Sequence, residues 1–278
     1  MRMGLLWRKN DDGSAGMKLN TYVLNLERHA ERLQAVAAQL DAQGIAWQRV
    51  AGIDAYAVSA AELDALAAKS GPIPRMPDTA RACAAGHLQI IQAFLASDAT
   101  HALILEDDAV IATDLGQALP DILETFGAGI LNISRQNPSG SVKRVVVGHK
   151  GQSCAGYAFH ALKGIHYTGG GYVVDRTAAE LIVAQHAKPN MPIDHILFNP
   201  NVSDLFGRVK ITQLFPAMVR PRENLASSIQ SQQVDGAKTL RNKLKRAKTE
   251  ISIAPRLLLG LALGRYQAKT LDFKDDLR

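Results

Sequence analysis

Residues 102–111, ALILEDDAVI, decide the fold of this chain. Four apolar residues, Ala102 to Leu105, run directly into three acids, Glu106, Asp107 and Asp108, before the chain turns apolar again. An apolar run of this length between polar residues reads as a strand buried on both faces, central in a parallel sheet. Three adjacent carboxylates at the end of such a strand repel one another and resist desolvation. A divalent cation bound there would offset that cost. Open α/β sheets also bind ligands outside the carboxyl ends of their strands, where these acids fall. A second reading stays open, in which the acids cap the following helix.

Outward from this strand the pattern alternates. Residues 19–26 read as a first buried strand, and 27–43 as a helix with Leu33, Val36, Ala37 and Leu40 on one side, closed by Gly44. A second strand over 45–50 precedes a helix over 59–69 and a stiff loop over 71–78, with prolines at 72, 74 and 77. Residues 79–96 form the helix that feeds the acid-tipped strand, with Ile90, Ile91, Phe94 and Leu95 on its apolar side. Beyond it come helix 113–125, strand 128–133, strands over 155–162 and 170–174, and helix 176–186. Residues 134–153 read as a flexible active-site loop or a β-ribbon around Val145–Val147. The alternation predicts an α/β protein with a doubly wound, mostly parallel sheet. The domain is expected over 17–232, after a disordered leader at 1–16 and before a basic helical tail at 233–278.

The 278 residues suit one large domain with a small appendage. A hydrophobic fraction of 47% and a charged fraction of 21% are ordinary for a globular protein. No apolar run approaches the roughly 20 residues that span a bilayer, and the start lacks the features of a signal peptide. Cys83 and Cys154 have no metal-ligand spacing and read as free thiols of a reducing cytoplasm. The net charge of +6 has one address: residues 237–256 carry seven basic residues against Glu250 alone, leaving the rest of the chain neutral. Lys238, Arg241, Lys245 and Lys248 share one helical face, opposite Leu240, Leu244, Ala247 and Ile251. Such a basic amphipathic helix suits an anionic membrane surface. A solvated charged helix is the plain alternative; nucleic acid is disfavoured by the lack of aromatic residues in the segment.

Several groups of residues point to chemistry. Arg28 and Arg32, four apart near a helix start at the mouth of strand one, suit an anion such as a diphosphate, or else pair with Glu27 and Glu31. Glu106 and Asp108, two apart on an extended segment, would point the same way and hold one Mg²⁺ or Mn²⁺, with Asp107 turned to structural pairing. Asp194, after Pro192 and before Ile196-Leu-Phe198, is placed either as a general base or as a helix cap. His195 reads as a structural histidine, with a metal ligand as the alternative. The glycines in Tyr167-Thr-Gly-Gly-Gly-Tyr172 allow either close ligand approach or a tight turn. No Gly-Lys-Ser/Thr, G-x-G-x-x-G after strand one, or G-x-S-x-G is present, which removes P-loop, dinucleotide-binding and α/β-hydrolase readings.

In chain order these pieces are Tyr22-Val-Leu-Asn-Leu-x-Arg28 with Arg32, Gly52-Ile-Asp54, Ala82-Cys-Ala-Ala-Gly-His87, Leu103-Ile-Leu-Glu-Asp-Asp-Ala109, Gly171-Tyr-Val-Val174 and Pro192-Ile-Asp194. Over roughly residues 19–200 the sequence resembles glycosyltransferase family 25, the lipooligosaccharide/lipopolysaccharide β-galactosyltransferases. The resemblance implies a GT-A-like α/β fold and an inverting transfer from a UDP-sugar, usually UDP-galactose, with Mn²⁺ or Mg²⁺. Carried onto these positions, it makes Asp108 and Glu106 metal ligands, and Asn25, Arg28, Arg32, Asp54, His87 and Glu106 the donor-binding set. Asp194 would be the catalytic base. The acceptor would be lipid-linked or an oligosaccharide, met at the inner face of the cytoplasmic membrane. The chain departs from the family pattern before His87, where Ala85 and Gly86 replace leucine and serine, and in its last element, Ser227-Ser-Ile229. The competing functional class is a non-catalytic, membrane-associated nucleotide-sugar-binding scaffold.

Overall fold

The computed structural model describes residues 17–73, 76–136, 144–223 and 254–277. The expected leader at 1–16 and most of the basic segment, residues 237–253, lie outside the described residues. Strands β1 (Leu19–Asn25), β2 (Gln48–Ala51) and β3 (His101–Glu106) run parallel with β1 in the middle. Helix α1 (Ala30–Ala42) makes the crossover from β1 to β2, and Gly44, at φ +66°, follows its end. Helix α2 (Ala60–Leu66) starts on a capping box in which Ser59 and Glu62 satisfy each other's backbone N–H groups. Helix α3 (Asp78–Leu95) leads into β3.

Burial on both faces of β3 is realised side chain by side chain. Ala102, Leu103, Ile104 and Leu105 are all fully buried. Alternation along the strand sends Ala102 and Ile104 into one layer, with Leu88, Ile91 and Phe94 of α3. Leu103 and Leu105 go to the other, with Val36 and Leu40 of α1 and with Ile122 of α4 (Leu115–Phe126). Each such aliphatic side chain contributes about 1.5–3 kcal/mol by leaving water, so this strand anchors both layers.

The strand ends sooner than the sequence suggests. β3 stops at Glu106, whose N–H donates to the Gly170 carbonyl at 3.2 Å, and Asp107 and Asp108 form a turn. The chain then leaves the main sheet as β4 (Ala109–Ile111). The even alternation that would set Glu106 and Asp108 side by side therefore breaks between them. A ladder that continued would force three carboxylates into a packed interior, and the turn instead carries them to a cleft.

The remaining strands are β5 (Ile130–Asn132), β6 (Arg144–Cys154), β7 (Tyr157–Leu162), β8 (Gly171–Asp175), β9 (Ile211–Phe215), β10 (Val219–Pro221) and β11 (Tyr266–Thr270). The main sheet has the order β11-β6-β7-β9-β5-β8-β3-β1-β2, and β10 pairs antiparallel with β4 beside it. From the pairings, β2, β1, β3, β5, β9 and β6 run one way, against β8, β7 and β11. The mostly parallel α/β sheet is present, with β8 inserted antiparallel between β3 and β5. Helices α5 (Arg176–His186) and α6 (Ile193–Phe198) share the α3 layer, supplying buried Ile182, Ile196 and Leu197. Of the two readings for residues 134–153, the described part is the ribbon: β6 and β7 form a hairpin turned at Ala155 and Gly156, both at positive φ.

The C-terminal boundary also differs from the expected one at 232. Helix α7 (Ala254–Ala262) is followed by β11, which pairs with β6 as the edge of the main sheet. Leu271 and Phe273 are buried, the Asp272 carbonyl accepts from Ala217 N–H at 2.7 Å, and Arg135 reaches Asp276 at 3.1 Å. Residues 266–277 thus belong to the domain. The polar strand Tyr266-Gln-Ala-Lys-Thr270 needs only one apolar neighbour, because it closes an edge.

Arg81 locks the frame around the cleft. Its side chain is almost wholly buried and donates to the Ala67 and Ala68 carbonyls at 2.6 and 3.2 Å, to Asp64 at 2.6 Å and to Asp78 at 2.8 Å. The end of α2 is thereby tied to the first turn of α3, the helix that carries Cys83 and His87.

Candidate active site

A cleft open to solvent lies at the carboxyl ends of β1 and β3. Its acidic side is Glu106, Asp107 and Asp108, and its basic side is Arg28, His29 and Arg32 from the turn that begins α1. Gly52 to Ala55, after β2, and the face of α3 with Thr79 and Cys83 close it. All three acids reach the same space despite the turn that separates them.

The three acids differ in partners. Asp107 accepts from Asn25 Nδ2 at 2.8 Å and faces Arg32 at 3.7 Å and His29 at 3.9 Å. Burial raises its carboxyl above the usual range, with Asn25 and Arg32 acting the other way. This is the structural pairing expected of it. For Asp108 the raising causes win clearly: burial, then the charges of Glu106 and Asp107, push its carboxyl up to about 7 against the opposing charge of Arg32. Its backbone carbonyl accepts from Arg222 N–H at 2.8 Å, which fixes the turn to the strand β10 side. Glu106 faces the buried ring of His87, with Oε1 at 3.4 Å from Nε2.

Asn25 does not line the cleft. It is buried, and its amide is spent on Asp107, on the His29 carbonyl at 3.0 Å and on Arg49 Nε at 3.0 Å. Its place is that of a strut that orients Asp107, because a buried amide must use its donors and acceptor locally. Arg28 pairs with Asp54 and lies over the Tyr56 ring at 5.2 Å, so Asp54 serves to hold a cleft guanidinium. Burial and the neighbouring Arg32 lower the His29 imidazole, which favours its neutral form beside the two arginines.

His87 is fully buried, with Nδ1 at 3.1 Å from the Tyr172 hydroxyl and its ring stacked on that phenol. Gly86 next to it touches Leu24 so closely that an added Cβ would stand 3.0 Å from Leu24 Cδ1. That contact gives a local reason for glycine where the family pattern has serine. Asp194 sits in the first turn of α6, and its Oδ1 accepts from the His195 N–H at 2.9 Å. Burial, opposed by His195 and helped by Glu106, raises its carboxyl. Its own charge in turn raises the Cys83 thiol, so Asp194 stands electrostatically next to the cleft floor without lining the cleft.

Three cleft residues were not picked out by the sequence. His29 was hidden between two arginines. Thr79 has a buried hydroxyl with no hydrogen-bond partner among the described residues, facing the cleft wall. Cys83 had the i, i+4 relation to His87 as a signal, but nothing in its neighbourhood tied the pair to Glu106. The glycine run serves packing: a Cβ on Gly169 would stand 2.9 Å from Ile193, and one on Gly171 3.0 Å from Val219.

The structure is an α/β sheet with acids and arginines facing each other across the carboxyl ends of its first strands. The profile of glycosyltransferase family 25 (LPS biosynthesis protein) matches residues 18–197, and the chain belongs to this family. Membership brings a glycosyltransferase role, with a nucleotide-sugar donor and a glycan acceptor. Every candidate site residue falls within the matched span. Among solved structures, a glycosyltransferase involved in the glycosylation of the major capsid of PBCV-1 is similar at 10% identity and a TM-score of 0.33, over 77% of this chain and 96% of that one. The mannose-1-phosphate geranyltransferase from Thermus thermophilus is similar at 14% identity and a TM-score of 0.39, over 74% and 75%. No curated protein matches the chain.

Proposed function

We propose that the chain is an inverting, metal-dependent hexosyltransferase that moves a sugar, galactose first among candidates, from UDP to a hydroxyl of a lipopolysaccharide or lipooligosaccharide acceptor. The observation that carries this reading is the opposition of Glu106, Asp107 and Asp108 to Arg28 and Arg32 across one cleft. Asp108 and Glu106 would hold Mn²⁺ or Mg²⁺. Their fit rests on hard oxygen donors and on the raised carboxyl of Asp108, which marks a place short of positive charge. A bound dication supplies Lewis-acid neutralisation of the charge that grows on the leaving diphosphate. Arg28 and Arg32 bind phosphate oxygens, and the start of α1 adds its N–H groups. Asp194 takes the proton of the attacking hydroxyl, the new C–O bond forms at the anomeric carbon, and the bond to the diphosphate breaks on the opposite face.

The test is UDP release from UDP-Gal, UDP-Glc, UDP-GlcNAc and UDP-GalNAc, with Mn²⁺ or with a chelator. The expected result is metal-dependent release, greatest from UDP-Gal. Binding of UDP with no release from any of the four donors, acceptor included, supports the scaffold instead and overturns the reading.

The same reading sets the enzyme at the cytoplasmic membrane face. No helix among the described residues is long and apolar enough to cross a membrane. What supports a surface contact is α7, where Leu258 and Leu259 are 66% and 60% exposed, adjoining the basic run at 237–256. Apolar side chains beside lysines and arginines match an anionic lipid surface, at about 1 kcal/mol per basic residue near it. In flotation with anionic and with neutral vesicles, the chain should follow the anionic ones. Replacing Leu258 and Leu259 by Asp should weaken this, and equal partition to both vesicles would remove the membrane from the account.

A further inference from the structure

Helix α3 places Cys83 and His87 four residues apart, on one face, and directs both at Glu106 on the end of β3. One donor atom from each of these three side chains lies within 4.8 Å of the others, the one such three-residue group among the described residues. Asp108 is not part of it. Ligands of a tetrahedral ion, at bond lengths of about 2.0–2.3 Å, stand about 3.3–3.8 Å apart. Closing onto an ion therefore takes a contraction of about 1 Å, within reach of side-chain rotation.

A second observation points to a ligand. His87 is wholly buried, yet its Nε2 has no hydrogen-bond partner among the described residues and faces Glu106 at 3.4 Å. A buried ring nitrogen without a partner is costly to keep. Its other nitrogen is held by the Tyr172 hydroxyl at 3.1 Å, the arrangement by which metal-binding histidines are oriented. Asp107, Asp108 and Asp194 add their negative field at Cys83, which makes the pocket attractive to a dication.

We propose that Cys83, His87 and Glu106 form a binding site for a borderline divalent cation of the Zn²⁺ class, with its open position toward the cleft that Cys83 and Glu106 line. One sulfur, one imidazole nitrogen and one carboxylate oxygen are the donors such an ion takes, whereas Mg²⁺ and Mn²⁺ prefer oxygen. The site shares Glu106 with the proposed hard-cation site, so its occupation draws that carboxylate away. Zn²⁺ then acts as an inhibitor of the Mn²⁺-supported reaction.

The experiment is a Co²⁺ titration of the chelator-stripped full chain, followed by the thiolate-to-metal charge-transfer absorption. This band reads the Cys83 sulfur directly and does not depend on turnover, so it can fail while the transferase reading stands, and the reverse. The wild type should develop a saturable band that Zn²⁺ displaces. Cys83→Ser should abolish it, and Cys154→Ser should keep it. His87→Asn should weaken Zn²⁺ binding by more than the about 10- to 100-fold that losing a ligand-orienting group costs, and Asp108→Asn should leave the band in place. Absence of the band in the wild type, its survival in Cys83→Ser, or its loss in Cys154→Ser overturns the proposal. Absence of the band in the wild type overturns the proposal even if Cys83→Ser folds poorly, and so does its loss in a folded Cys154→Ser.

Discussion

Asp108→Asn should lower UDP-sugar turnover by about 100- to 1000-fold, or about 2.7–4 kcal/mol of transition-state stabilisation, while leaving the fold intact. The substitution keeps the turn, because the Asp108 carbonyl that accepts from Arg222 N–H belongs to the backbone. It also has a signature independent of activity. In the folded, chelator-treated chain the Asp108 carboxyl sits at about 7, held up by burial and by Glu106 and Asp107. Its folded value is above its unfolded one, so the unfolded chain releases this proton first as pH rises. The contribution of Asp108 to stability therefore falls between about pH 4 and 7 and stays low above that. The Asn variant lacks this penalty and should melt higher than the wild type at pH 8 without metal. Adding Mn²⁺ should stabilise the wild type and barely move the variant. A variant that turns over donor at the wild-type rate, or gains as much from Mn²⁺, would sink the metal assignment.

The split between what the residues announce and what only the fold reveals follows the range of the interactions. Strand β3 was legible because burial on both faces leaves a local trace, an unbroken apolar run, and the helices around it carry their period in their own sequence. The turn at Asp107–Asp108 was not, because where the ladder stops depends on Gly170 and on β10, which pairs with the adjoining β4 from over 100 residues further along the chain. The reading of Asn25 as a donor contact came from its position at a strand end. Its true neighbours are Asp107 and Arg49, and nothing local distinguishes a strut from a ligand. Strand β11 escaped because an edge strand beside a polar ribbon needs little hydrophobic pattern, and the Leu271 and Phe273 that dock it are single residues in a charged context.

The same contrast explains the two halves of the cleft. Its arginines and acids stand out because unpaired-looking charge clusters are visible in a sequence. Its floor does so only through the resemblance, which places His87 in the donor-binding set; that β3 brings Glu106 against both Cys83 and His87 is visible only in the fold. Charge on the rim draws an anionic donor in, and the buried groups beneath decide which cations and protons the site can hold.

Asp194→Asn tests the proton-transfer half of the proposal, and the expected loss in kcat is about 100- to 10,000-fold, the usual worth of a positioned general base. Burial and the charge of Glu106 raise the Asp194 carboxyl, which brings it nearer the working pH than a solvated aspartate and makes it a better proton acceptor. The sign of the pH effect follows. Only the ionised carboxylate can accept the proton, so activity rises with pH through the raised value and falls below it. Saturating Mn²⁺ keeps Asp108 ionised, so the acid limb that remains in the kcat profile belongs to Asp194 and should vanish in the variant. Asparagine retains the oxygen that accepts from His195 N–H at 2.9 Å, so the first turn of α6 should persist, and with the burial penalty of the charge removed the melting temperature at pH 8 should be at or above that of the wild type. Donor affinity should change little, because Asp194 does not line the cleft that takes the nucleotide. A merely structural aspartate gives the opposite pattern: stability falls, and whatever activity remains keeps the same acid limb. Activity within about threefold of the wild type, a difference of under 1 kcal/mol, would move the base to another residue.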